Sequence, residues 1–289
     1  MIIEKESEVR VLRRLCESPF EYFSVAAVSE KAGISRNWAY RIIGKFEKSG
    51  ILERSGSKVK LDFSNLFCRR LKLLFDSEYL LSLDSDTKSR ISGISDRIVF
   101  EMKPESIVLV GSAASGKQRK ESDLDFLVIG DIKRIPHFEN CNMVPLSVQE
   151  AKEKYMKGDD FMISALLFGK VVHDSGVFMR LFESPLPAFS AESVQEKIRY
   201  CEALVERIYS LLKSDERQAE KELLYLALQT ARIVLLKRRA APKTKYDISG
   251  QVKPFNKELA GIIEELLKGR RLAKEKIIAY TKACMGVVR

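Results

Sequence analysis

The chain of 289 residues has no apolar run fit to cross a membrane. Its longest charge-free stretches, such as Phe161 to Gly169, fall well short of the ~18 residues a spanning helix needs. It also lacks any CxxC pair. Five cysteines (Cys16, Cys68, Cys141, Cys201, Cys284) lie far apart and are odd in number, which argues against a disulfide scaffold or a structural zinc site. Histidine is scarce, with only His137 and His173. Met1 to Arg10 alternates charges without an apolar core, so no secretory signal is expected. These absences predict a soluble protein of the reducing cytoplasm with no membrane partner.

What is present is ordinary globular composition, with 45% hydrophobic and 31% charged residues, which excludes disorder as the overall state. The length is about twice that of a usual domain and predicts two or three of them. The net charge of +10 is unevenly spread. Residues 1–64 carry a balance of +3, residues 65–189 one of −1, and residues 190–289 one of +8. Basic ends around a neutral centre suit polyanionic partners, although a lysine-rich surface also serves solubility.

Residues 1–64 read as short helices followed by a hairpin. Val9, Val11, Leu12 and Leu15 line one helical face before Pro19 stops it. Ser24 to Lys31 forms a second helix, Ala32-Gly33-Ile34 a turn, and Ser35 caps a third helix that ends at Gly50. Ile51 to Arg54 and Lys58 to Phe63 flank the turn Ser55-Gly56-Ser57 as a β-hairpin. In the third helix, Trp38, Ala39, Ile42, Ile43 and Phe46 are the expected core stripe. Arg36, Asn37, Tyr40, Arg41 and Lys45 occupy the opposite face, and the hairpin adds Arg54, Lys58 and Lys60. This order resembles a winged helix–turn–helix domain. The resemblance implies that Arg36, Asn37, Tyr40, Arg41, Lys45 and Lys58 contact double-stranded DNA. Winged helices also mediate protein contacts, which is the alternative. Residues 65–105 read as two connecting helices without a chemical motif, a spacer that also packs against one or both neighbours.

The sharpest signal lies in the centre. Ser106 to Val110 is a continuous apolar run suited to a buried strand, and it leads straight into Gly111-Ser112. A second strand follows in the run Glu121 to Ile129, with Asp123 and Asp125 inside its otherwise hydrophobic stretch. Period-two geometry puts both carboxylates on one face, where burial together would be costly without a cation between them. Mg2+ completed by substrate phosphates is the usual resolution, and the Gly-Ser turn offers backbone N–H groups and a hydroxyl to a phosphate chain.

Hydrophobic strand, Gly-Ser, ten residues, then Asp123-Leu124-Asp125 with Ser122 before it resembles the polymerase-β-type nucleotidyltransferases, most closely the minimal prokaryotic domains. The resemblance runs from about Ser106 to Gly176. It implies that Gly111 and Ser112 bind the triphosphate of a nucleoside triphosphate substrate. Asp123 and Asp125 would be catalytic and bind Mg2+ or Mn2+. Lys117 and Arg119, in the loop between the motif strands, are placed to clamp phosphates, although a solvated loop would also be basic. Two departures bear on activity. Ser115 stands where many members carry a basic residue. On the strand Cys141 to Leu146, the position of the family's third carboxylate is Asn142, an amide that cannot act as a base. Glu139 is the nearest carboxylate and is out of register. His173-Asp174 reads as the closing of a strand rather than an acid–base pair.

The remaining residues read as a helical bundle, with helices capped at Ser190 and Asp215, a basic loop from Ala240 to Pro254, and helices near Asn256 to Leu267 and Arg271 to Met285. Such bundles in nucleotidyltransferases commonly shape the acceptor side of the cleft. Ribonuclease chemistry built on an Arg and His pair has no histidine here to run on. The expected architecture is multidomain α/β: a winged helix–turn–helix (1–64), a helical linker (65–105), a mixed-sheet nucleotidyltransferase domain (106–186) and a helical bundle (187–289), with a homodimer allowed. The function expected is Mg2+-dependent transfer of a nucleoside monophosphate to an acceptor, coupled to DNA binding. The competing class is a transcription regulator whose central domain only senses nucleotide.

Overall fold

The structure, a computed structural model, describes residues 2–118, 123–132, 136 and 138–288. The chain divides into two compact units: Met1–Tyr155 with Ala165–Leu186, and Met156–Ser164 with Pro187–Arg289.

The first unit opens with helix α1 (Glu6–Cys16), strand β1 (Phe23–Ser24), helices α2 (Val25–Ala32) and α3 (Arg36–Lys48), and strands β2 (Leu52–Ser55) and β3 (Lys58–Leu61). Ser24 and Ser35 cap α2 and α3 by accepting from Ala27 N at 3.2 Å and Trp38 N at 3.3 Å. Gly33 ends α2 in the left-handed conformation (φ 61°), which sets α3 at an angle to α2. Val11, Leu12, Ile42, Ile43, Phe46 and Val59 are fully or almost fully buried. The three strands form an antiparallel sheet in the order β1-β3-β2. Trp38 departs from the expected core stripe. It is only half-buried, because its indole N–H reaches Ser7 Oγ at 2.8 Å and the Lys5 ammonium lies 4.5 Å from the ring centroid.

Helices α4 (Leu66–Ser82) and α5 (Ser85–Met102) follow, capped by Asn65 and Asp84. Next come β4 (Ser106–Val110), the short helix α6 (Gly111–Ala114), β5 (Leu124–Ile129), β6 (Cys141–Leu146), α7 (Val148–Met156), α8 (Asp160–Phe168), β7 (Lys170–Asp174) and α9 (Val177–Arg180). The sheet has the order β6-β5-β4-β7, with β4 antiparallel to both β5 and β7, and β5 parallel to β6. Every residue of β4 is buried, as its unbroken apolar run requires. Ile91 and Ile98 of α5 pack in one core with Ile107, Leu109, Phe126, Val128, Ala113 and Ala114. The spacer helices thus pack on a neighbour, as expected, and α5 supplies part of the sheet's own core. Asp174 accepts from Ser106 Oγ, Phe178 N and Met179 N, so it ties β7 to β4 and α9, as a strand-closing residue does.

The second unit is helical: α10 (Ala191–Leu211), α11 (Glu216–Lys237), α12 (Ile248–Val252), α13 (Lys257–Leu267) and α14 (Lys274–Val288). Leu204, Ile208, Leu223, Leu226, Ile263 and Ile277 share one core. The short helix α12 interrupts the stretch expected to be a loop, because Ile248 and Val252 are both buried in that core. Buried Asp160 is paired with Lys197 at 2.9 Å and Arg232 at 3.6 Å. Among the described residues, no helix is long and apolar enough to cross a membrane. All five cysteines are free.

Candidate active site

The site is built where β4 ends beside β5. Gly111, at φ +71°, adopts a backbone conformation that side chains rarely tolerate, and a Cβ on it would overlap the Asp125 carboxylate. Two separate constraints thus require glycine at this position. The chain then closes on itself. Ser112 O accepts from Lys117 N at 3.0 Å and Ser115 N at 3.2 Å, and also from Ser115 Oγ at 3.0 Å. Ser112 is buried. Lys117 is exposed at the edge of the same loop. Arg119, Lys120, Ser122 and His137 lie outside the described residues.

Asp123 and Asp125 share one face of the sheet with Asn142. Residues 125 and 142 are partners in the parallel β5–β6 pair. The Asn142 amide nitrogen donates to Asp125 Oδ1 at 3.0 Å and lies 3.4 Å from Asp123 Oδ2. The expected pair of buried carboxylates is only partly realised. Asp125 is half-buried, while Asp123 is exposed because β5 begins one residue after it, at Leu124. Half-exposure removes much of the desolvation cost that burial of both would impose.

The neighbouring Cys141 senses this charge. Its thiol is pushed up to about 11, first by burial and then by the charges of Asp125 and Asp123. Glu139 is exposed in the turn before β6, outside the paired register. Among the described residues, no third His, Cys, Asp or Glu forms a metal-holding group with the two aspartates. Two carboxylates and an amide that can rotate to present its oxygen fit a divalent cation completed by substrate phosphates.

Two supporting residues carried no signal in the sequence. Tyr79 of α4 donates from its hydroxyl to Ala113 O at 2.6 Å and so braces α6 from behind. Arg90 of α5 donates to Asn140 O at 3.3 Å, in the turn that leads into β6. Both sit on helices whose pattern shows only amphipathic packing, and their targets are backbone carbonyls that no residue pattern marks.

The geometry places the decisive residues within one stretch of the chain. Residues 91–201 match the nucleotidyltransferase domain family. The match contains Gly111, Ser112, Asp123, Asp125 and Asn142, and it begins within α5 rather than at β4, consistent with the packing of Ile91 and Ile98 on the sheet. Among solved structures, a nucleotidyltransferase-like protein from Exiguobacterium sibiricum 255-15 is similar over 67% of this chain and 71% of that chain, with 11% identity and a TM-score of 0.38. Comparison with curated proteins gives no match.

On the N-terminal part of the first unit, Arg36, Asn37 and Arg41 are exposed on α3, Tyr40 is 60% exposed, and Lys58 is exposed on β3. Three further basic groups there, Lys45, Arg54 and Lys60, are engaged within the protein. Lys45 bonds Glu8 at 2.9 Å and pairs with Glu4 at 3.6 Å, and the Glu8 hydrogen bond raises its ammonium above the ordinary lysine value. Arg54 is held in a two-pronged pair by Glu47, and Lys60 lies 2.7 Å from Glu53.

Proposed function

We propose that this protein transfers a nucleoside monophosphate from a nucleoside triphosphate to an acceptor in a divalent-metal-dependent reaction in the cytoplasm, and that it also binds double-stranded DNA. The observation that carries the first part is the Gly111 turn closed against Asp125, with Asp123 beside it, inside a segment that matches the nucleotidyltransferase domain. In this reading the turn at Gly111 and Ser112 holds the phosphate chain through backbone N–H groups and the Ser112 hydroxyl. Lys117 and Arg119 meet the outer phosphates. Asp123 and Asp125 hold Mg2+ or Mn2+, which supplies charge neutralisation on the phosphates and lowers the pKa of a bound hydroxyl. Asn142 can orient but cannot accept a proton, so the acceptor hydroxyl loses its proton to solvent or substrate.

For DNA, the reading is that α2, α3 and the β2–β3 hairpin act as a winged helix–turn–helix. Arg36, Asn37, Tyr40 and Arg41 would lie at the major groove, with Lys58 on the wing and Lys45 at the groove's edge. A second reading, a transcription regulator that senses nucleotide without turnover, is favoured by the amide at position 142. Incubation of the full chain with each triphosphate and Mg2+ or Mn2+ separates the two. Pyrophosphate release supports transfer, saturable metal-dependent triphosphate binding without release supports sensing, and the absence of both release and binding overturns both readings.

A further inference from the structure

Behind the Gly111 turn, still within the first unit, lies a cavity of about 550 Å³ between α1, α4 and β7 that neither reading uses. Its apolar walls come from Cys16, Phe75, Leu81 and the ring of Tyr79. At its base, buried Asp76 is fully claimed. Lys72 Nζ lies 2.6 and 2.5 Å from its two oxygens, and Val171 N donates to Oδ2 at 3.0 Å. A second lysine, Lys170, stands 3.7 Å from Asp76 Oδ1 and 4.9 Å from the Tyr79 ring centroid, with its side chain 19% exposed. Its ion pair with Asp76 is the longer of the two, because Lys72 already holds both carboxylate oxygens.

The cluster therefore holds two ammonium groups against one carboxylate and is left with one positive charge facing the cavity. A largely buried ammonium that has to share its one carboxylate is costly, and an apolar residue would pack there more favourably. Burial depresses the Lys170 ammonium below the ordinary lysine value, and the neighbouring Lys72 pushes the same way. At the rim the charges already satisfy one another: Arg13 with Glu78 at 2.9 Å, and Arg14 with Glu17 at 2.9 Å.

We propose that this cavity binds a small amphipathic monoanion, a carboxylate on a short apolar or aromatic body. Its head sits on Lys170 and its body lies against Phe75, Tyr79 and Leu81. A single charge is specified because the cluster has one ammonium more than it has carboxylates: Lys170 shares Asp76 with Lys72, and the rim pairs are neutral. The volume falls within the range of small-molecule sites, about 300–1,000 Å³.

Calorimetric titration of the full chain with octanoate, octan-1-ol and octylammonium tests this. Octanoate should bind saturably at one site, at least tenfold more tightly than octanol, with octylammonium weaker still. Lys170→Met should lower octanoate affinity at least tenfold without changing that for octanol, and Lys170→Arg should restore it. Equal affinity for octanoate and octanol, or no saturable octanoate binding, overturns the proposal. The order of the three compounds on the wild-type chain decides the question even where Lys170→Met does not fold.

Discussion

Asn142 and Asp125 face each other across the parallel β5–β6 pair, with the amide nitrogen 3.0 Å from Asp125 Oδ1. An amide has two ends of opposite character. Next to carboxylates alone it turns its N–H groups toward them, whereas a cation in the same place would favour its oxygen. The side chain can therefore serve the site in both states through a rotation about its last bond. It can quiet the carboxylate pair or add a weak metal ligand, but it can never take a proton.

Asp125→Asn tests whether the pair holds a cation. The change keeps size and hydrogen-bonding capacity, and the residue is only half-buried, so the fold should persist with little change in melting temperature. Affinity for triphosphate in the presence of Mg2+ should fall at least tenfold, while any affinity without metal should hardly move. Calorimetry with and without Mg2+ reads both, and an unchanged Mg2+-dependent affinity would remove Asp125 from the site.

Gly111→Ala tests the turn. The left-handed backbone alone costs a non-glycine residue about 1–3 kcal/mol. The new Cβ also overlaps the Asp125 carboxylate, which has to move. A lowered melting temperature and lost triphosphate binding should appear together. Full binding by a merely destabilised protein would show that the close approach of Gly111 to Asp125 has no part in recognition.

The strand, Gly-Ser turn and second strand were legible because each rests on a local constraint: an unbroken apolar run, a required glycine, and carboxylates inside a hydrophobic segment. The place of Asn142 was legible too, since period-two alternation along Cys141–Leu146 puts it on the face of the aspartates, and the register pairs it with Asp125. Other features were not. Ile91, Ile94 and Ile98 look like any amphipathic helix, and nothing local says that their partner is the sheet. Trp38 lies on the apolar stripe of its helix, but its indole N–H needs a partner and finds one at Ser7, near the surface. Tyr79 and Lys170 meet only in the tertiary structure.

The exposed face of α3 yields a test by salt. Arg36→Gln with Arg41→Gln removes two charges without touching buried Ile42 and Ile43. Duplex DNA affinity should fall, and the slope of log affinity against log salt should become shallower by roughly one unit per lost phosphate contact. Lys45→Gln should alter the slope less, because its ammonium is already bonded to Glu8. Anisotropy titrations across salt concentrations check this. Identical slopes for wild type and the double mutant would make the domain a protein-contact module.

The sharpest test reverses the chemistry at position 142. Asn142→Asp sets a third carboxylate against Asp123 and Asp125 at nearly constant volume. Without a cation, three like charges repel, and at least one carboxyl is driven above its usual range. The mutant should then melt below wild type in chelator at neutral pH. Millimolar Mg2+ should recover much of that loss, since binding to the folded state alone stabilises it. Melting curves read this apart from any activity. Where transfer is limited by the missing base, the added carboxylate can take the acceptor's proton, and pyrophosphate release should rise by about 10²-fold or more. Metal-dependent stabilisation without a gain in rate would keep the cation site but leave the domain a nucleotide sensor. A mutant that melts identically with chelator and with Mg2+ would remove the cation from the Asp123–Asp125 pair altogether.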